Sequence, residues 1–339
     1  MACKHRGNPA ASLGVEKLYG LPVLLSGLGS LFLTKVEEGL VDQHYKETIS
    51  NLQRLLPATP TPVVCFLGGT LPGSAHLHLR QLSIFGMIAR LTGNFLQTYT
   101  LDLFQSGNPP ARSWFHQIKE LCDKYNLPSP LELLESPLPK LQYKRLVKKH
   151  VISFLETSLR LKAAPLESLI FFKPSHMSLT NPHPIWTTAG SSPAKVVMAT
   201  VQAKMLSGRY RTEALCSNWK ITSTGVCLLS PACSSTIEDL QHILSHCCAL
   251  TPTREKLFDF TTRYCLQVST PISQLITEYT NPSNKDFHQF LIDCSTLPAI
   301  ISAVRLHGYD VHHHLFHVTR TWVYTLHKER LKILGRWNL

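Results

Sequence analysis

A chain of 339 residues with 44% hydrophobic and 17% charged residues is long enough to bury a sizeable core and too apolar for an intrinsically disordered segment. Its 34 Lys and Arg against 22 Asp and Glu leave a formal charge of +12, which favours polyanionic partners, nucleic acid before an anionic membrane surface. The ten cysteines are scattered, and Met1–Gly14 is polar and basic with no apolar signal-peptide core, so the thiols are read as reduced and the protein as intracellular, nuclear or cytoplasmic.

In chain order, the pattern predicts a mainly α-helical protein. Residues 1–17 read as a flexible N-terminus. Leu18–Leu33 (LYGLPVLLSGLGSLFL) is uncharged, but it is 16 residues long and interrupted by Gly20, Pro22, Gly27 and Gly29. A bilayer span needs about 20 apolar residues, so this run is read as a buried helix and the chain as having no transmembrane segment. Asp42–Leu56 is predicted as a helix ended by Pro57, Pro60 and Pro62, and Val63–Gly69 as a short apolar strand or turn. Gly73–Leu91 repeats Leu77, Leu82, Phe85, Ile88 and Leu91 at the helical period. Ser113–Lys124 is a short helix with Trp114, Ile118 and Leu121 inward, and Asn126–Pro139 a proline-rich connection.

Lys140–Lys162 is the longest helix expected; it carries seven cations against Glu156 alone. Lys144, Arg145, Lys148 and Lys149 make a phosphate-tracking face, with a solvated face as the plainer reading. Residues 163–194 hold five prolines and read as an extended connection. Helices are expected at Lys195–Ser207, Arg254–Gln267, Ser283–Leu297 and His314–Trp337. The last is basic, and its Arg330, Lys332 and Arg336 are assigned to nucleic acid. The tract His307, His312, His313, His314 and His317 is read as a solvated loop. The pattern divides the chain into a thumb-like helical region (18–125), a basic helix with connector (126–194), a metal module (195–260) and a helical C-terminal region (261–339).

The metal module carries the sharpest chemistry. Cys227, Cys233, His242 and Cys247 follow C-x5-C-x8-H-x4-C, three thiols and an imidazole within 21 residues. That donor set suits a closed tetrahedral structural zinc site. A helix over Glu238–His246, capped by Ser234 or Ser235, would turn Leu240, Ile243 and Leu244 to the core and His242 to the metal. A slight unwinding at its end would bring in the Cys247 sulfur. Glu238 and the hydroxyls are expected to orient the imidazole. Cys216 and His246 are alternative ligands, and Cys248 adjoins Cys247 as a further competing thiol. Upstream, Lys204, Arg209, Tyr210, Arg211, Trp219 and Lys220 mix cations with aromatics, which suits backbone contact with base stacking, with a core position as the plainer reading of Tyr210 and Trp219.

The segments KMLSGRYRTEALCSNW (204–219) and EDLQHILSHC (238–247) resemble the C-terminal region of a non-LTR (LINE-type) retrotransposon reverse transcriptase. So do LYGLPVLLSGLGSLFL (18–33), DQHYKETISNLQRL (42–55), LPGSAHLHLRQLSIFGMIARL (71–91) and RTWVYTLHKERLKILGRW (320–337). The resemblance implies thumb and connector sequence followed by a CCHC element, with the family's ligands on Cys227, Cys233, His242 and Cys247. Many relatives have the two cysteines closer together. It also implies RNA or DNA as the partner and no small-molecule substrate. The paired aspartates that hold two metals in a polymerase palm have no counterpart, so no catalysis is expected. A zinc-stapled protein-interaction scaffold and a non-functional remnant are the rival readings.

Overall fold

The computed structural model describes residues 7–335 apart from 92 and 108; Arg336 therefore lies outside the described residues. The fold is mainly α, with 17 helices and no strand among the described residues. They are α1 (Pro9–Val15), α2 (Leu21–Leu24), α3 (Lys35–Leu52), α4 (Thr61–Gly68), α5 (Gly73–Ile88), α6 (Phe95–Gln105), α7 (Trp114–Lys124), α8 (Pro130–Glu135) and α9 (Lys140–Ala163). The second half holds α10 (Pro184–Thr187), α11 (Pro193–Leu206), α12 (Glu213–Asn218), α13 (Thr251–Cys265), α14 (Thr270–Tyr279), α15 (Phe287–Asp293), α16 (Pro298–His307) and α17 (Asp310–Ile333).

Local chemistry sets the helix starts. Thr34 and Glu37 form a reciprocal capping box on α3, and Ser129 and Glu132 another on α8. Ser113 caps α7 through the His116 N–H, and proline opens α8, α11, α13, α14 and α16. Helix α3 thus begins seven residues before the expected Asp42, at a cap that the apolar pattern does not show.

Helix α5 is the spine of the first half, packing on α3, α7 and α9; α17 is the spine of the second, packing on α11, α13, α14, α15 and α16. One buried cluster runs from Leu13 to Leu326. The halves are tied by polar bonds as well: the Trp186 indole N–H donates to Gln53 Oε1 (3.2 Å), His183 N–H to Leu67 O (3.0 Å), and Asn8 Nδ2 to Trp186 O (3.1 Å). No single helix among the described residues is long and apolar enough to cross a membrane.

Four expectations are corrected. Val63–Gly69 is not a strand: Thr61–Gly68 is helical, every residue from Pro62 to Gly68 is buried, and Gly69 ends the helix at φ 55°. An apolar run with no exposed face has no period, so strand and buried helix look alike in sequence. Leu18–Leu33 is not one buried helix but a π turn, the short α2 and a 3-10 turn, broken at Gly27 (φ 77°). Leu21 and Leu25 are buried, whereas Leu18, Tyr19, Val23 and Leu31 are exposed. The proline-rich 126–139 stretch contains α8, which buries Leu133 and Leu134. The 163–194 segment is not an extended connection: it holds two 3-10 turns (Glu167–Leu169 and Pro174–His176) and α10, and it buries Phe171, Phe172, Met177, Leu179, Ile185 and Trp186.

Helix α9 is seated by one close approach. The Tyr143 ring lies against Gly86 of α5, and its hydroxyl donates to Leu82 O at 2.9 Å. A Cβ at position 86 would run into the Tyr143 ring. Gly86→Ala is therefore expected to destabilise the protein by about 1–3 kcal/mol despite alanine's better helix propensity. Chemical denaturation checks this, and a variant as stable as wild type would show that α9 is not seated on α5 in this way.

Candidate metal centre

The loop from Gly225 to Glu238 closes on itself. Val226 and Ile237 form an antiparallel bridge, Cys227 N–H donates to Thr236 O (2.8 Å) and Glu238 N–H to Gly225 O (3.0 Å). Within the loop, Pro231–Cys233 makes a 3-10 turn that presents Cys233. After the loop, Asp239 Oδ1 accepts the His242 N–H at 2.7 Å, and His242–His246 forms a π turn whose closing bond runs from Cys247 N–H to His242 O (2.7 Å). This wider turn is the unwinding expected at Cys247: it sets residues five apart on one side. The cap is Asp239, not Ser234 or Ser235.

The result gathers Cys227, Cys233, His242 and Cys247, all buried, with one donor atom from each inside 4.8 Å of the others. The four can hold a metal ion. The alternatives are not part of the group. His246 is exposed, with Nδ1 3.1 Å from Ser245 Oγ, and Cys216 is buried in α12.

The electrostatics fit a cation. Both ring nitrogens of His242 are buried without a hydrogen-bond partner among the described residues, and burial lowers its pKa. Such orphaned donors and acceptors cost about 1–3 kcal/mol each, which a metal bond would remove on one nitrogen. Burial raises the Cys227 thiol, and burial together with Cys227 pushes Cys247 up to about 12. The Cys227 and Cys247 thiols, held neutral beside an unpartnered imidazole, join a satisfied set once a divalent cation favours their thiolates.

Three features escape the sequence reading. Arg254 is buried and donates from Nη2 to Cys247 O at 2.6 Å, which sets a fixed positive charge beside the sulfurs. Cys248 is exposed with its sulfur 3.1 Å from Cys233 Sγ, and hydrogen bonds from Ser230 and Cys233 lower its pKa. Glu238 does not orient His242. Its Oε1 accepts from Arg330 Nη2 (2.5 Å), Arg330 Nε (3.2 Å) and Glu213 N–H (3.0 Å). No spacing rule links 238 to 330, so only the fold reveals that pair.

Arg330 is thereby corrected from a nucleic-acid contact to a buried ion-pair partner. Tyr210 is corrected with it: it is buried beneath the Arg330 guanidinium, its hydroxyl lies 2.9 Å from His327 Nδ1, and burial raises its pKa to about 12. Lys204 is half-buried, and Arg209 lies over the half-buried Trp219 ring at 5.8 Å. Arg211, Lys220 and Lys332 are exposed. Lys144, Arg145, Lys148 and Lys149 are all exposed on α9. The histidine tract is not a loop: it runs into α17, where His312 is buried and Tyr264 bonds His314.

No protein-family model, curated protein or solved structure matches the chain.

Two outcomes test the site. Cys227→Ser combined with His242→Ala is expected to abolish metal retention, read by elemental analysis of the purified protein; unchanged metal content would remove the ligand assignment. Arg330→Ala strands Glu238 in a buried position and is expected to cost about 3–5 kcal/mol in denaturant unfolding.

Proposed function

We propose that the chain is a non-catalytic RNA- or DNA-binding protein, with a structural zinc ion in the Cys227, Cys233, His242 and Cys247 set and α9 as the phosphate-contacting element. The observation that carries this reading is the face of α9. Lys140, Lys144, Arg145, Lys148 and Lys149 are exposed along its first three turns, and no acidic residue occurs in the helix before Glu156. Lys148 is near enough to Lys17 to help depress that lysine's pKa, after burial, so the positive charge extends beyond the helix.

Beside α9 runs a cleft of about 690 Å³ between α3, α4, α5 and α9, with Lys35, Lys46, Lys124 and Lys162 in its lining. Its two carboxylates are engaged internally. Glu38 accepts from Gln117 Nε2 (2.9 Å) and lies 3.1 Å from His78 Nε2, and Asp42 accepts from Ser74 N–H (2.7 Å) and Oγ (2.9 Å). Lysines from three helices thus line the cleft, an arrangement suited to a polyanion backbone and not to base-edge readout.

Zinc is favoured over other metals by the donor chemistry: three thiolates and one imidazole with four protein ligands make a closed site, which staples a fold and leaves no position for a reacting water. Descent from the C-terminal part of a LINE-type reverse transcriptase rests on the sequence resemblance at 204–219 and 238–247, and it agrees with a non-catalytic role because the chain has no Asp-Asp pair.

Fluorescence anisotropy with short single-stranded RNA, single-stranded DNA and duplex DNA tests the reading. Wild type is expected to bind with an affinity that falls steeply as salt rises. Lys144→Glu with Lys148→Glu should weaken binding at every sequence and flatten the salt dependence by roughly 0.7–0.9 in log–log slope for each phosphate no longer neutralised. Absence of binding to all three at low salt would overturn the proposal.

A further inference from the structure

Cys248 is a fourth sulfur, and a fifth candidate donor, at a site that needs four donors. It stands outside the ligand set, yet its Sγ lies 3.1 Å from Cys233 Sγ, closer than the 3.8 Å between the ligand sulfurs of Cys227 and Cys247. The two members of the short pair differ in access: Cys248 is exposed and Cys233 is buried. Both sit in short 3-10 turns, Cys233 at the end of Pro231–Cys233 and Cys248 at the start of Cys248–Leu250, so a movement of about an ångström brings the sulfurs to the ~2.05 Å of a disulfide without disturbing a long helix. An accessible thiol poised next to a resolving cysteine is the arrangement in which oxidation ends as a disulfide and not as a sulfinic acid.

We propose that Cys248 is an oxidative modification site: a hydroperoxide oxidises it, and Cys233 resolves the product as a Cys233–Cys248 disulfide that removes one ligand from the metal centre. The consequence for the metal rests on the zinc reading above; the disulfide itself does not. The Cys248 thiolate attacks one peroxide oxygen and breaks the O–O bond, giving a sulfenic acid and hydroxide or alkoxide, which takes a proton. Cys233 sulfur then attacks Cys248 Sγ, forms the S–S bond and displaces hydroxide, which leaves as water. Two thiols give up two electrons in all, the peroxide accepts them, and the metal ion departs as the same dication. Three remaining ligands, one of them His242, hold it less tightly than four.

The experiment uses the full chain loaded with Zn2+ and treated with hydrogen peroxide. Metal release is followed with a chromogenic chelator, and disulfides are mapped by mass spectrometry after thiol blocking. Wild type is expected to lose zinc and to yield the Cys233–Cys248 pair. Cys248→Ser should start with the same zinc content and release it at about a tenth of the wild-type rate or slower, since the accessible thiol is gone. Zinc release from Cys248→Ser at the wild-type rate, or a disulfide mapping to Cys227–Cys247, overturns the proposal. If the untreated protein takes up no zinc, the metal reading falls, and the mapped pair alone decides the inference.

Discussion

The metal module is held in place by a buried charge. Glu238 is fully buried, and a carboxylate in that position is tolerable only if its charge is met by the protein; its partners all converge on Oε1, while Oε2 is buried without one among the described residues. Arg330, reaching from α17, supplies two N–H donors to Oε1, and the Glu213 backbone supplies a third. Glu238 lies directly between the Val226–Ile237 bridge that shapes the two-cysteine loop and the Asp239 cap that starts the His242 turn. Fixing one carboxylate therefore fixes both halves of the ligand set relative to each other and to α17. Tyr210 closes the arrangement by stacking under the same guanidinium, with its hydroxyl turned to His327 on α17.

A second constraint is charge balance among the sulfurs. Three thiolates around a dication leave one net negative charge in a buried site, and Arg254, hydrogen-bonded to the Cys247 carbonyl, is the nearby cation that offsets it. Without the dication burial favours the protonated thiols of Cys227 and Cys247. Metal uptake must then release protons, so affinity rises with pH over the range in which the free thiols are neutral. A bound dication and Arg254 would act together: one would form the thiolates, the other would make their residual charge tolerable.

The ligand set is legible in the sequence because a local constellation is encoded by spacing, and even the π turn follows from the five-residue step between His242 and Cys247. The long α9, the later turns of α17 and the amphipathic α5 and α7 are legible from the sequence pattern, whereas the first turns of α17 are hidden by histidines that read as a solvated loop. The short apolar α4 is not, since burial on every side erases the period. The basic residues are the least legible. Lys144 and Arg330 look alike in a charge pattern, yet Lys144 is exposed on α9 and Arg330 is consumed by an interior carboxylate. Arg320 is likewise buried, donating to the carbonyls of Ile185 and Thr188. Whether a cation is surface or mortar depends on partners more than a hundred residues away as readily as on near neighbours.

That distinction separates the Cys/His module from the basic face of α9. The buried arginines of the C-terminal half, Arg254, Arg320 and Arg330, all serve internal acceptors. The α9 cations have no such acceptors within their own helix before Glu156, and α9 is seated through Tyr143 on α5, not through the metal module. Long lysine stems lying along an apolar helix surface keep their ammonium groups in water, where phosphate can displace counterions without desolvating a buried charge. The Cys/His cluster and the α9 face thus draw on different residues. The Cys/His module packs against α17, while the α9 face depends on the packing of α9 against α4 and α5.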